Sequence, residues 1–330
     1  MSRIYEALQK AESERRLERR EPEPRTPEHP VHSAIYATAA SAVATAQEEQ
    51  ASFTPVAEPY VAQPYAQPPV VRVDPNARID PNALDVSKIP LRPWALSLER
   101  LPSLLERGPA VEQFRSLRSR IFELRDISPL KSIMVTSGLP QEGKSFISTN
   151  LAMSLARHKN SKVLLIDGDM RRYTLHQLLG CESHPGLADY LAGKASLVEV
   201  MQRPEPSEGM PPGPAAITQN LTFIAGGNGG DKAADLSGSP RFEELIRLAT
   251  PHFDWIIVDS SPVLPVSDAV NLARACDGVL LVARSGETKF PVAQRAQSEL
   301  KASNILGFVL NAVQEAPQVG SYYGYDAAKP

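Results

Sequence analysis

One eight-residue run constrains this chain more than anything else in it: Gly138-Leu-Pro-Gln-Glu-Gly143-Lys144-Ser145. It follows an apolar, β-branched stretch, Ser132-Ile-Met-Val-Thr136, and opens a helical pattern from Phe146 to Arg157. A phosphate-binding loop requires that strand-loop-helix setting. The glycines let backbone N–H groups approach phosphate oxygens, and the helix N-terminus favours the anion. Lys144 then reaches the outer phosphates and Ser145 offers its hydroxyl to a magnesium ion. The first expectation is a domain that binds ATP with Mg2+.

What surrounds the loop sets the fold class. Lys162-Val-Leu-Leu-Ile166, Asp254-Trp-Ile-Ile-Val258, Val279-Leu-Leu-Val-Ala283 and Ile305 to Leu310 read as strands, and Ser267 to Ala275 and Pro291 to Ala302 as helices. Near-continuous apolar strands separated by helices indicate a mainly parallel sheet covered on both faces, a doubly wound α/β domain. Ligands of such sheets bind beyond the carboxyl ends of the strands.

Composition narrows the field. A formal net charge of −3 without long runs of one sign leaves no basic stripe for nucleic acid, so DNA and RNA are not expected partners. Cys181 and Cys276 are only two and lie far apart in the sequence, so neither a disulfide framework nor a zinc site is indicated. No stretch approaches the ~18 apolar residues of a membrane span, and the first residues lack the apolar core of a secretory signal. The expected location is cytoplasmic. Thirty prolines, unevenly placed, divide the chain. Residues 1–20 read as a short amphipathic helix, 21–93 as a disordered Pro/Ala-rich tether, 95–315 as the P-loop domain and 316–330 as a flexible tail. Arg203 to Pro214, also rich in Pro and Gly, reads as a surface loop inside the folded part.

Acidic residues end two of the strands. Asp167 and Asp169 follow Leu164-Leu-Ile166, and Asp259 follows Ile256-Ile-Val258. A carboxylate at the tip of a buried strand is poorly placed for packing and well placed to meet a cation over the phosphate loop. Asp259 takes the Walker B position. Ser145, Asp169 and Asp259 form the expected metal set, and Asp167 is expected to accept the proton of an incoming hydroxyl.

Taken together, the P-loop, the strand ending Asp167-Gly-Asp169-Met-Arg-Arg172 and the strand ending Asp259-Ser-Ser-Pro262, with Val266-Ser-Asp268 soon after, resemble the bacterial tyrosine kinases of exopolysaccharide and capsule assembly. The likeness runs over roughly residues 110–325. It includes Pro185-Gly-Leu-Ala-Asp-Tyr-Leu-Ala-Gly193 and the closing Gly307-Phe-Val-Leu-Asn311. It implies a P-loop NTPase of the ParA/MinD-like branch, with Lys144, Asp167, Asp169 and Asp259 as catalytic residues. The implied nucleotide contacts are Gly138, Gln141, Glu142, Gly143, Lys144, Ser145, Phe146 and Asn311.

Two further motifs fit that resemblance. Glu112, Arg115 and Arg118 fall on an arc beside the apolar face of a helix carrying Val111, Phe114, Leu117, Ile121 and Leu124. By spacing they are a solvated helix edge; the resemblance implies a contact through which subunits form a ring, with ion pairs made between neighbours. Tyr322, Tyr323 and Tyr325 crowd the tail, and the resemblance implies autophosphorylation there. It also implies a membrane polysaccharide co-polymerase as activating partner, recruiting the kinase to the inner face of the membrane.

The chain also departs from the family pattern. Ser260-Ser261-Pro262 stands where a Pro-Pro pair is usual, and Gly226 to Leu236 replaces a Pro-Asn-Pro turn. Two other readings stand beside the kinase: a ParA/MinD-type switch ATPase, which shares the fold and most of the acidic strands, and a nucleotide-binding scaffold that has lost transfer, which the departures near Asp259 suggest. The switch proteins carry a lysine where Leu139 stands here.

Overall fold

The structure, a computed structural model, describes residues 84–158, 161–206 and 211–313. Its strands are β1 (Leu91–Arg92), β2 (Ser132–Ser137), β3 (Val163–Asp167), β4 (Met201–Pro204), β5 (Leu221–Ile224), β6 (Trp255–Asp259), β7 (Gly278–Arg284) and β8 (Ile305–Asn311). They form one sheet in the order β1-β4-β5-β3-β6-β2-β7-β8, parallel at every pairing except that of β4 with β5.

The apolar runs are continuous because the sheet is buried on both sides. Successive side chains of a strand point to opposite faces. Ile133 and Val135 accordingly join a cluster with Leu165 and Ile257, whereas Met134 joins Leu164, Ile166 and Ile256 on the other face. The first face is covered by α1 (Pro109–Ile127) and α2 (Lys144–Ala156), which contribute Phe114, Ile121, Leu151 and Leu155.

The remaining helices are α3 (Leu175–Leu179), α4 (Leu187–Leu191), α5 (Leu197–Val200), α6 (Pro212–Thr218), α7 (Ala233–Ser237), α8 (Pro240–Ala249), α9 (Asp268–Ala273) and α10 (Phe290–Glu299). Of these, α8 and α9 place Leu245 and Leu272 against the second face.

The domain begins earlier than the composition suggests. The stretch 21–93 was expected to be tether throughout, yet Leu84 and Ile89 are buried in the core. β1 pairs with β4, the carbonyls of Pro90 just before it and of Arg92 within it accepting from Arg203 N and Glu205 N. Prolines are tolerated here because an edge strand needs few N–H donors. Residues 1–83 lie outside the described part, as do the expected 1–20 helix, most of the tether and the 316–330 tail.

The second Pro-rich stretch also differs from the expected loop. Arg203 and Pro204 belong to β4, and Pro212 opens α6, a position where a missing N–H costs nothing. Only 207–210 of that stretch fall outside the description.

Candidate nucleotide site

Strand order places the chemistry. β6 lies between β3 and β2, and the register sets Asp167 of β3 directly beside Asp259 of β6. The P-loop leaves the end of β2, next door to Asp259. Gly168 makes this closeness possible: its N–H donates to the Asp259 carbonyl at 2.8 Å, and a Cβ there would sit 2.6 Å from that oxygen.

Within the loop, Gly143 caps α2 at φ 96° without any side-chain cap. The first helical hydrogen bond runs from Ile147 N to Gly143 O, so the N–H groups of Lys144, Ser145 and Phe146 precede the helical ladder. They are the donors that a phosphate takes up. The Phe146 ring turns away and packs on Phe114 of α1 at 5.7 Å, which leaves its backbone as its contribution to a nucleotide.

Charged side chains converge on the loop. Lys144 Nζ lies 3.1 Å from Asp169 Oδ2, and Ser145 Oγ donates to Asp259 Oδ2 at 2.6 Å. Burial works against the Lys144 charge, but Asp259 and Asp169 outweigh it and raise the pKa of the ammonium.

Asp259 is pushed up to about 6, first by burial, with Lys144 and Ser145 pulling the other way. Asp167 is fully buried and driven well above the carboxylate range, first by burial and then by Asp259. Its two oxygens accept from the N–H groups of Asp169 and Leu175, which fix the turn after β3.

The residues fit a hard cation. Asp259 Oδ1 is buried without a hydrogen-bond partner, next to the Ser145 hydroxyl. Among the described residues, no group of three or more His, Cys, Asp or Glu side chains forms a metal cage. Magnesium does not need one: it keeps several waters and takes one or two carboxylates together with phosphate oxygens. Ser145 and Asp259 would hold it, with Asp169 alongside.

Other expected residues fall in different places. Glu112 pairs with Arg115 within α1, N to O 2.9 Å, so this ion pair is made inside one chain. Arg118 donates to Ser154 O of α2 at 2.7 Å. Burial lowers its pKa, helped by Arg115 and Arg157. Gln141 adopts a positive φ of 66°, and the Asn311 amide donates to the Glu142 carbonyl at 3.0 Å. Tyr322, Tyr323 and Tyr325 lie outside the described residues.

Three contacts escaped the sequence reading. Asp268, buried at the start of α9, binds Arg171 through both oxygens and anchors the turn that carries Asp169. Thr288 and Arg284 reach the P-loop from more than 140 residues away in sequence, a distance no local pattern spans.

No protein-family model matches the chain. Individual proteins do. The tyrosine-protein kinase YwqD of Bacillus subtilis is 33% identical over 220 residues, which is 66% of this chain and 86% of that protein. The chain belongs to the bacterial tyrosine kinases. A putative tyrosine-protein kinase, EpsB of Ralstonia solanacearum, is 34% identical over 222 residues, 66% of this chain but only 28% of the longer protein. Among solved structures, the kinase domain of the Escherichia coli tyrosine kinase ETK superposes with a TM-score of 0.55 at 32% identity, covering 64% of this chain and 80% of that one.

Proposed function

We propose that this kinase is a Mg-ATP-dependent tyrosine autokinase that phosphorylates its own Tyr322, Tyr323 and Tyr325 and thereby regulates exopolysaccharide or capsule synthesis and export. The observation that carries the reading is the meeting of Lys144 with Asp169 and of Ser145 with Asp259 at adjacent strand ends, beside Asp167. In phosphoryl transfer the protein mainly positions groups and neutralises charge.

Lys144 and the loop amides hold the phosphates, and Ser145, Asp259 and Asp169 hold the cation. Magnesium, when bound, neutralises charge on the phosphate oxygens. The phenol oxygen forms a bond to the terminal phosphorus, the bond to ADP breaks, and the phenol proton passes to Asp167.

Glu112, Arg115 and Arg118 are assigned to a contact with further copies in a ring, and a membrane polysaccharide co-polymerase to the role of activator that recruits the kinase to the inner membrane face. Among the described residues no helix is long and apolar enough to cross a membrane. EpsB, at more than three times the matched length, carries much sequence that this chain does not align with.

The test is direct. Purified protein is incubated with Mg-ATP, with and without the cytosolic segment of a co-polymerase, and phosphate is located by mass spectrometry. Lys144→Met and a Tyr322/Tyr323/Tyr325→Phe triple variant serve as controls. Phosphate on the tail of the wild type, lost in both variants, is the expected result. ATP-dependent dimerisation with no phosphotyrosine under either condition would point to a switch ATPase instead.

A further inference from the structure

The P-loop does not hold its shape alone. Its tightest point has Gln141 at φ 66° and Gly143 at φ 96°, and a non-glycine residue in the left-handed region costs energy that its surroundings must offset. Those surroundings come from the other end of the chain.

The Glu142 side chain, 4% exposed, bends back so that Oε2 accepts from Leu139 N at 2.8 Å. Its Oε1 accepts from the Thr288 hydroxyl in a short hydrogen bond. Thr288 in turn accepts from Arg284 N at 2.7 Å, and Thr288 N donates to the Arg284 carbonyl at 2.9 Å, so the β7–α10 turn is closed around that hydroxyl. Arg284 Nη1 donates to the Gln141 carbonyl at 3.1 Å and its Nε pairs with Glu287.

From β8, the Asn311 amide donates to the Glu142 carbonyl and packs so closely on Gly143 that a Cβ there would lie 2.0 Å from Nδ2. Three consecutive residues of the loop, 141 to 143, are each held by β7, β8 or the turn between them.

We propose that Thr288, Arg284 and Asn311 are positioning residues of the nucleotide site, acting through Glu142 and Gln141 to hold the P-loop amides in the arrangement that receives the phosphates. Thr288 and Arg284 do this without touching the nucleotide, and Asn311 does it whether or not its side chain also reaches the nucleotide. Thr288 is the hub, since one hydroxyl both donates to Glu142 and accepts from Arg284. The assignment rests on the P-loop being a nucleotide site, and not on tyrosine transfer.

Hydroxyl and methyl are nearly isosteric, so Thr288→Val removes both hydrogen bonds with little change of volume, and Thr288→Ser keeps them. The readout is the Kd of Mg-ADP for the full chain by calorimetry, with the melting temperature of the nucleotide-free chain measured beside it. Thr288→Val is expected to weaken Mg-ADP about tenfold or more, by loss of a bond to a charged acceptor, and Thr288→Ser to stay within about twofold.

Arg284→Ala, a change at a surface side chain, is expected to weaken binding about threefold with an unchanged melting temperature, and it carries the test if the valine variant does not fold. Native affinity in both Thr288→Val and Arg284→Ala would overturn the assignment. So would equal losses in the valine and serine variants, or a lower melting temperature with native affinity. Absence of phosphotyrosine in the wild type with these affinity differences intact would count against the kinase reading alone.

Discussion

At Asp259 one carboxylate oxygen binds Ser145 and the other meets no donor, although the residue is 1% exposed. Such an arrangement serves a ligand at the expense of the empty fold. The folded-state pKa, about 6, lies above the ordinary carboxylate value, so the folded chain holds a proton that the unfolded chain releases. Stability from this group is therefore present at low pH and is lost as pH rises through about 6.

Asparagine at 259 keeps an acceptor for Ser145 and has no charge to desolvate. In metal-free buffer Asp259→Asn should be more stable than the wild type by on the order of 2 kcal/mol at pH 7.5, with the gap closing toward pH 4.5. Chemical denaturation of both proteins across that range measures the gap. A variant that is less stable at pH 7.5 would show that attraction to Lys144 outweighs desolvation.

At the scale of elements, what the sequence reveals depends on how an element is buried. β2, β3, β6 and β7 are covered on both faces and read as apolar runs. β4 and β5 are four residues each and β1 is two, too short for any period to register. β1 also hides among prolines, since Ile89-Pro90-Leu91-Arg92-Pro93-Trp94 has the composition of a linker while every second or third residue finds a partner.

Trp94 is the strongest of these anchors. It is buried edge-on to Phe223 at 6.2 Å and donates Nε1 to Gln202 at 3.3 Å. Trp94→Ala should cost about 3–5 kcal/mol, as for other buried aromatics. Thermal denaturation of the full chain checks it, and a loss under about 1 kcal/mol would show that Trp94 does not anchor this edge of the domain.

Over the whole molecule, the site was legible residue by residue and not as an assembly. Lys144, Ser145 and the three aspartates announce themselves by pattern, but their meeting depends on β6 lying between β3 and β2. The supports at Thr288, Arg284 and Asp268 depend on contacts across 97 to 146 residues.

Because the ligands come from the ends of three adjacent strands in one sheet, binding should stabilise the domain as a unit. Saturation to 100 times Kd with Mg-ADP adds about 2.7 kcal/mol by mass action. For a domain of this size that is roughly 5–10 °C in melting temperature. If Ser145 and Asp259 hold the cation, EDTA should remove most of this shift, and Lys144→Met should show little shift with or without metal. A full shift in EDTA would mean that the amides and Lys144 bind the phosphates unaided, and that the unpartnered oxygen of Asp259 serves something other than magnesium.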